Sequence, residues 1–314
     1  MKWWKKLVVF SLLIILINIF PANFVKGKDL YKLHPTDDAQ IAQNYPPNNY
    51  GKSESMSVRN QYGGFPPPYG NGWARDALVK FDLSSLPVSP GDHVYAKLEM
   101  YYYKWWDNNP TGRELTAYRI TSDWSEDTVT WNTQPSYDYH KTAVATVPHY
   151  PGKWMVWDVT PDVQDFIDGK KEVYGWRIRD EKIWGDANIP ITYFRTKEYG
   201  NYAPTLEVIV DNVPPSVEIT HPKYGLYISD RKIIPLPFTI VIGNVTVQAF
   251  ASDEKTGILR VELYVDGTLK NVSYNEPYTW ELGKIGSGLH KIEVKAYDKA
   301  RNVNSKKETL LLIQ

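Results

Sequence analysis

Residues 95–103 read YAKLEMYYY, a stretch in which side chains of two kinds alternate. Because successive side chains of a β-strand point to opposite faces, alternation predicts a strand with one buried face. The first set is apolar and predicts the core face: Ala96, Leu98, Met100 and Tyr102. The second set joins charges to aromatic rings, which is unusual for a solvated face: Lys97, Glu99, Tyr101, Tyr103 and, just beyond the stretch, Trp105.

Similar runs recur before and after this strand, separated by Gly, Pro, Asn and Asp, while helical periodicity is nearly absent. Further strands are predicted at 77–81, 115–120, 154–159, 174–179, 191–194 and 205–210. Residues 161–168, with Thr160 as a cap in front and Gly169 behind, predict one or two helical turns. The fold class is therefore all-β, and residues 28–210 are predicted to form an antiparallel, jelly-roll-like β-sandwich.

A domain boundary is predicted at residues 211–216, where Pro214 and Pro215 cannot continue a sheet ladder. Six more strands follow, at 217–220, 244–251, 258–265, 278–282, 289–297 and 309–313. Asp266-Gly267, between two alternating runs, predicts a hairpin turn. About one hundred residues with this many strands is the size of an immunoglobulin-like sandwich, so residues 217–314 are predicted to form one.

The composition excludes several classes of function. Among 314 residues, 36 Lys and Arg balance 36 Asp and Glu, so there is no global basic field for nucleic acid or an anionic membrane. There is no cysteine, which excludes thiol catalysis, disulfides and iron–sulfur clusters. Aromatic residues make up 14% of the chain, an excess that favours binding surfaces.

The N-terminus predicts export. A basic head at residues 1–6 precedes the apolar run 7–20, which fits a secretory signal peptide cleaved after Gly27. An uncleaved anchor is the alternative. We therefore expect a secreted, extracellular or cell-surface protein, in which the sequons at Asn244 and Asn271 are possible glycosylation sites.

The first domain resembles the DNRLRE family, also classed as carbohydrate-binding module family 96. The resemblance rests on ordered blocks, among them RDALVKFDLSSLP, ITSDWSEDTVTWNTQP, GKWMVWDVTPDVQDFIDG and YFRTKEYGNYAPTLEVIV. The hexapeptide that names the family is absent, and the closing block reads Arg195-Thr-Lys-Glu198. The resemblance implies a β-sandwich that binds polysaccharide, with acidic polysaccharides such as alginate among the family's targets.

The second domain resembles the immunoglobulin-like modules of prokaryotic surface proteins. The segments PPSVEITHP, VELYVDGTL and GLHKIEVKAYDKARN support this resemblance. Such modules are typically spacers, so it implies presentation of the first domain.

The candidate ligand-binding residues are aromatic or basic. Rings that can stack on a pyranose are predicted at Tyr101, Tyr103, Trp105, Trp106 and, in the glycine-rich loop 69–73, Trp73. Basic groups that can bind a carboxylate or sulfate are predicted at Arg75, Arg195 and Lys197. The alternatives are that a loop covers the rings and that the basic groups are ordinary surface charge.

We interpret most of the other tryptophans and the acidic pairs as residues that stabilise the fold. Trp124 and Trp131 are expected as core pillars, at most one of Trp154 and Trp157 faces the core, and Trp184 is expected in an exposed loop. Asp37-Asp38 or residues 107–109 suit a structural calcium site, but both also fit turn chemistry without an ion. We expect no cofactor and assign no metal.

Catalytic motifs are missing from the sequence. It contains no HExxH, no GxSxG and no phosphate loop, and its six histidines are scattered. We therefore expect a non-catalytic protein that binds polysaccharide or cell-envelope glycan and no nucleic acid. The alternative is a structural surface or adhesion protein that assembles with cell-surface proteins, and a polysaccharide lyase or hydrolase comes third.

Overall fold

The structure, a computed structural model, describes residues 29–59, 73–181 and 190–314. The predicted signal peptide, residues 69–72 of the glycine-rich loop and Trp184 lie outside the described residues. Strands dominate the described part of both domains, which confirms the all-β prediction.

The first domain begins with a strand directly after the first described residue. Its strands are β1 (Leu30–Leu33), β2 (Asp37–Ala42), β3 (Ser55–Arg59), β4 (Arg75–Lys80), β5 (Val94–Trp106), β6 (Glu114–Ile120), β7 (Tyr137–Thr146), β8 (Lys153–Asp158), β9 (Trp176–Asp180), β10 (Ile191–Arg195) and β11 (Thr205–Val210). Helix α1 (Thr160–Ile167) precedes β9, and a 3₁₀ turn (Lys197–Tyr199) follows β10. β1, β2, β3 and β7 were not predicted. In β2 almost every side chain is buried and in β7 almost none is, so neither strand shows the alternation of a half-buried strand.

The strands form one curled sheet in the order β1-β11-β5-β10-β3-β4-β9-β6-β7, with β8 added to β5 and β2 to β4. β3 meets β4 only at Arg59 opposite Arg75. Side chains from both halves of the sheet share one core, including Leu98 from β5 and Ile178 from β9. The sheet therefore bends at the β3–β4 contact to form the two layers of the sandwich.

Two tryptophans anchor this core with both their rings and their indole N–H groups. Trp157 is fully buried and donates from Nε1 to the carbonyl of Leu115 at 2.8 Å. Trp176, also fully buried, donates from Nε1 to Oδ2 of Asp162 at 2.8 Å. Since the indole donor is satisfied in each case, burying the ring costs no unpaired polar group.

Helix α1 closes one end of the core with Val163 and Phe166. The prediction that Thr160 caps this helix is wrong, because Thr160 is already its first helical residue and Val159 precedes it as the N-cap. The Thr160 hydroxyl instead accepts a hydrogen bond from the backbone N–H of Ala96 at 3.0 Å. The threonine thus joins the helix to β5.

β5 shows the predicted alternation from Val94 to Tyr102, with every second side chain buried. A bulge then interrupts its pairing with β10: Tyr102 lies opposite Phe194, but Lys104 lies opposite Tyr193. The extra residue reverses the alternation, so Trp105 pairs with Thr192 and does not share the face of Tyr101 and Tyr103 as predicted.

A second, smaller apolar cluster lies on the other side of β4. It contains Ala39, Ile41, Leu78, Ile120, Trp124 and Val129, with Trp131 packed against it. Trp124 and Trp131 are therefore structural as predicted, but they cover the outer face of the sheet and are not pillars of the sandwich core. The long loop between β6 and β7 supplies both rings.

The second domain is a sandwich of two sheets in the order β12-β16-β19 and β14-β13-β15-β21-β20-β17-β18. Its strands are β12 (Ser216–His221), β13 (Gly225–Ile228), β14 (Arg231–Ile234), β15 (Thr239–Ile242), β16 (Thr246–Ser252), β17 (Ile258–Val265), β18 (Thr268–Ser273), β19 (Tyr278–Glu281), β20 (Gly288–Asp298) and β21 (Val303–Ile313). β13, β14, β15 and β18 were missed. The first three have only four residues each, and β14 and β18 are largely exposed.

Asp211 ties the two domains together. It is fully buried, its Oδ2 accepts a hydrogen bond from the Thr256 hydroxyl at 3.0 Å, and its carbonyl accepts one from Nδ2 of Asn302 at 2.6 Å. Elsewhere in the second domain, Asn244 and Asn271 are both exposed. No helix in residues 29–59, 73–181 and 190–314 is long and apolar enough to cross a membrane.

Candidate functional site

A strip of aromatic and basic side chains crosses the outer face of the first domain. It runs over five neighbouring strands, in the order β8, β5, β10, β3 and β4. Four interstrand spacings give it a length of about 19 Å. We call it the binding strip, and it consists of Tyr101, Tyr103, Lys104, Trp154, Tyr193, Arg195, Tyr199, Tyr202, Arg59, Trp73 and Arg75.

Three rings form the first part of the strip. Tyr101 lies opposite Trp154 in the β5–β8 ladder, and their ring centroids are 5.3 Å apart in an edge-to-face arrangement. Tyr202 stacks on Tyr101 with centroids 4.2 Å apart and planes 17° apart. Trp154 is 41% exposed and Tyr202 is 49% exposed, so solvent reaches both rings.

Tyr202 reaches this position through an unusual backbone conformation. Its φ is 63°, in the left-handed region that non-glycine residues rarely occupy. Trp154 also borders a surface depression of about 510 Å³, which Val144, Thr146, Pro148 and Lys153 help to line. The strained residue and the adjoining depression are features often found at binding sites.

The guanidinium of Arg195 lies between two tyrosine rings in the second part of the strip. Its central carbon is 3.8 Å from the Tyr103 ring centroid and 3.5 Å from that of Tyr199. Lys104 lies over the Tyr193 ring, with its Nζ 4.7 Å from the centroid. The bulge in β5 explains this arrangement, because it places Lys104 opposite Tyr193.

Two neighbouring arginines form the third part. Arg59 and Arg75 lie opposite each other where β3 meets β4, and Trp73 packs over the Arg59 guanidinium at 5.1 Å. Burial lowers the pKa of Arg59. The negative charge of Asp107 opposes this shift, while the like charge of Arg75 adds to it. Within the described part of the chain, the Nε–H groups of both arginines are buried without an acceptor.

Ion pairs neutralise the same outer face beyond the aromatic rings. Lys97 lies 2.6 Å from Glu207 and 3.2 Å from Glu99, and Lys32 pairs with the other oxygen of Glu207 at 2.5 Å. These charges satisfy one another. The basic groups available to a ligand are therefore those at the other end of the strip.

The predicted basic group Lys197 has different surroundings. Its ammonium lies 2.6 Å from Glu126 and also pairs with Glu198, while its backbone N–H donates to Oδ2 of Asp38 at 2.9 Å. Burial lowers the pKa of Lys197, but the two carboxylates outweigh this and raise it overall. Lys197 thus faces an acidic cluster rather than Arg75 or Arg195.

Asp38 has the most strongly shifted carboxyl pKa in this region. Burial raises it to about 8, and the neighbouring Glu198 adds to the effect. The other acidic residue considered at a turn, Asp107, lies 3.5 Å from Arg59.

Two further arginines lie on the outer face of β9. The side chains of Arg177 and Arg179 share the buried carboxylate of Asp76, with Nε of Arg177 2.7 Å and Nε of Arg179 3.2 Å from Oδ2. The ring of Tyr137 lies against both guanidinium groups, at 4.7 Å and 5.2 Å. Both arginines are buried, so this cluster is mainly structural in the described chain.

The structure thus brings together some of the predicted site residues. Tyr101, Tyr103 and Arg195 lie within the strip, and Arg75 and Trp73 lie at its end beside Arg59. Trp105 and Trp106 are 38% and 64% exposed at the end of β5, beyond the bulge. Lys197 lies in the acidic cluster.

Sequence reasoning missed several members of the strip. Arg59 ends an alternating run, SMSVR, that indicates a strand, and Trp154 differs in parity from the buried Trp157. Both had a detectable signal. Tyr199 and Tyr202 lie in the turn segment EYGNY, where no periodicity fixes the direction of a side chain.

Two family models match separate parts of the chain. The model of carbohydrate-binding module family 96 matches residues 29–210, and that of a bacterial Ig domain matches residues 215–294. No curated protein matches the chain.

Solved structures give only distant similarities. Fibronectin(III)-like modules of Clostridium thermocellum CbhA are 25% identical, with 32% of this chain and 98% of that chain covered and a TM-score of 0.26. An endo-beta-1,4-mannanase from Thermotoga petrophila is 15% identical, with 33% and 21% covered and a TM-score of 0.23, so this chain spans about a fifth of its length. A putative membrane anchored protein from Corynebacterium diphtheriae is 9% identical, with 91% and 59% covered and a TM-score of 0.21. The family model, in contrast, spans more than half of the chain, and the protein belongs to carbohydrate-binding module family 96.

Proposed function

We propose that this is a secreted or cell-surface protein whose first domain binds an acidic polysaccharide along the binding strip. The supporting observation is the continuity of the strip: solvent-exposed rings at Trp154 and Tyr202 lead through Arg195 to the paired guanidinium groups of Arg59 and Arg75. Rings and cations in one line are what a chain of charged sugars requires.

The aromatic part of the strip binds sugar rings by stacking. A pyranose has an apolar face that packs on an aromatic face, while its hydroxyls bond to polar groups at the rim. Trp154 and Tyr202 are exposed, and contacts with Tyr101 hold both. Little side-chain entropy is therefore lost when a sugar binds to these two rings.

The basic part of the strip distinguishes an acidic polysaccharide from a neutral one. The guanidinium groups of Arg59 and Arg75 supply the positive charge that a carboxylate or sulfate would bind, and their Nε–H groups are buried without an acceptor in the described chain. Since guanidinium groups of like charge are held side by side there, an anion also relieves their mutual repulsion.

The immunoglobulin-like domain presents the first domain at a surface. Its contacts with Asp211 hold the two domains in contact, which suits a spacer. Membership in a carbohydrate-binding family and the adjacent bacterial Ig domain both favour an extracellular protein. Cell-envelope glycan and cell-surface proteins are the partners we propose.

We propose that binding is not followed by cleavage. Two of the carboxylates next to the strip are engaged in ion pairs: Glu99 with Lys97, and Asp107 with Arg59. A glycosidase instead needs two carboxyl groups that face the scissile bond.

The test is retention of the purified chain on acidic and neutral polysaccharides, alone and as two variants. Trp154→Ala removes an exposed ring, and the double variant Trp105→Ala/Trp106→Ala removes the rings beyond the bulge. We expect retention on an acidic polysaccharide, reduced mainly by Trp154→Ala. No retention on any polysaccharide, together with self-association of the chain, would favour the alternative of a structural protein that assembles through this surface. Release of reducing or unsaturated ends would instead favour a hydrolase or a lyase.

A further inference from the structure

Three segments of the first domain converge on one acidic cluster. Asp38 comes from β2, Glu126 from the loop between β6 and β7, and Glu198 from the 3₁₀ turn. Each places a carboxylate oxygen within 4.8 Å of the other two. Asp38 and Glu126 are buried, and Glu198 is half-buried, so solvent screens their repulsion poorly.

Two oxygens of this cluster have no hydrogen-bond donor among the surrounding described residues. In the described chain no other residue donates a hydrogen bond to Oδ1 of the fully buried Asp38 or to Oε2 of Glu198, and the two carboxyl groups are close enough to share a proton. The donors nearby are used elsewhere: the backbone N–H of Lys197 binds Oδ2 of Asp38, and the backbone N–H of Asp38 binds Oε2 of Glu126. A buried carboxylate oxygen without a donor loses its hydration without compensation.

The ion pairs around the cluster leave a negative excess. Three ammonium groups take part, and each contacts two carboxylates: Lys52 with Glu126 and Asp127, Lys80 with Asp37 and Asp123, and Lys197 with Glu126 and Glu198. With Asp38, six carboxylates face three ammonium groups, an excess of three negative charges. Either a proton or a further cation has to reduce it.

We propose that Asp38, Glu126 and Glu198 bind one calcium ion. Calcium prefers carboxylate oxygens at about 2.3–2.6 Å, so ligand oxygens up to roughly 5 Å apart can surround a single ion. The three carboxylate oxygens all lie within 4.8 Å of one another, which meets this requirement. Magnesium needs about 2.0–2.1 Å and near-ideal octahedral geometry, which suits these irregular ligands less well.

The ion would hold together segments that are distant in sequence. Glu198 lies in the same 3₁₀ turn as Tyr199, whose ring packs on Arg195. Glu126 is fixed from the other side, since its carbonyl accepts a hydrogen bond from Nδ2 of Asn49 at 2.6 Å. Calcium would thus stabilise the turn that presents Tyr199.

Calcium binding is measured on the full chain after treatment with EDTA, by calorimetric titration and by thermal unfolding with calcium or magnesium. We expect one ion per chain at this cluster and a higher Tm with calcium than without it, with a smaller effect of magnesium. Asp38→Asn and Glu198→Gln should lose the binding. Asp127→Asn is the matched control, because it removes a neighbouring charge that is not part of the cluster.

A second acidic cluster requires its own control. Asp211, Asp253 and Asp298 also place oxygens within 4.8 Å of one another, so Asp253→Asn should keep the calcium response. The proposal is overturned if the wild type shows no calcium response, or if the response survives Asp38→Asn and Glu198→Gln. A response lost in Asp253→Asn alone also overturns it. If Asp38→Asn does not fold, the calcium response of Glu198→Gln decides the test, because Glu198 is only half-buried.

Discussion

The guanidinium of Arg195 lies 3.8 Å from the centroid of the Tyr103 ring, and the Tyr199 ring covers its other side. A planar guanidinium can stack in this way, whereas an ammonium cannot. The stacking leaves the edge of the guanidinium for hydrogen bonds to a ligand. The residue therefore combines charge with a fixed orientation.

We expect Arg195→Lys to weaken binding of an acidic polysaccharide about tenfold, equivalent to about 1.4 kcal/mol, although the charge is kept. Affinity electrophoresis or calorimetry measures the change. The matched control is Arg260→Lys in the second domain, whose guanidinium lies 3.9 Å from the Tyr297 ring centroid. Unchanged binding by Arg195→Lys would show that charge alone matters at this position.

The exposed indole of Trp154 provides a second prediction. Trp154→Ala should reduce polysaccharide affinity about fivefold, through the loss of roughly 1 kcal/mol of ring stacking. Its effect on stability should be small, since the ring is 41% exposed. Leu269→Ala is the control: Leu269 lies in β18 of the second domain, away from the strip, and its side chain is 47% exposed. Equal losses in both variants would contradict a specific role for the ring.

From the position of Arg75 we predict that the protein distinguishes acidic from neutral polysaccharides. We expect Arg75→Gln to lower the affinity for an acidic polysaccharide and to leave binding of a neutral one unchanged, because a carboxylate or sulfate loses its guanidinium partner. Added salt should weaken wild-type binding in the same selective way. Lys32→Gln is the control, as Lys32 is already paired with Glu207 on the same sheet. A variant that loses both polysaccharides equally would indicate a structural role.

We expect substitution of the buried Trp157 to lower the stability of the fold. Trp157→Phe removes the hydrogen bond to the Leu115 carbonyl and leaves space beside the smaller ring. The expected cost is about 2–3 kcal/mol in the free energy of unfolding, from the unpaired carbonyl and the void together. Urea unfolding followed by circular dichroism measures it. A cost below that of Val156→Ala would contradict the assignment of Trp157 to the core.

Prediction from the sequence was most accurate for strands that have one buried face and one exposed face. Alternation in β5 placed Tyr102 in the core and Tyr101 outside, and a difference in parity separated Trp154 from Trp157. The bulge at Tyr103 could not be predicted, since its position depends on the partner strand. Because of the bulge, Trp105 does not share the face of Tyr101 and Tyr103.

Residues that approach through turns were beyond the same reasoning. Tyr202 depends on a left-handed backbone angle within a turn segment, which no periodicity of the sequence records. Lys197 is a predicted site residue that the structure places elsewhere. It lies two residues after Arg195, but the 3₁₀ turn directs its side chain into the acidic cluster. Tertiary contacts that no local pattern records decide such positions.

The pair of His290 and Asp266 gives the second domain a dependence on pH. Nδ1 of His290 lies 2.7 Å from Oδ2 of Asp266, and Nε2 lies 3.0 Å from the carbonyl of Gly286. The protonated imidazole can donate to both. The bond with Asp266 raises the pKa of His290 above its ordinary 6.5, although burial opposes this.

Because the pKa of His290 is higher in the folded state than in the unfolded state, its contribution is full below the unfolded value and is lost as pH rises through the folded one. Asp266→Asn should therefore reduce stability by about 0.5 kcal/mol at pH 5.5 and by less at pH 9, a small amount because the turn is at the surface. Asparagine tolerates the φ of 50° at this position and still accepts the hydrogen bond from the backbone N–H of Lys291. Urea unfolding at the two pH values measures the difference, and an equal cost at both would show that the charge of His290 plays no part.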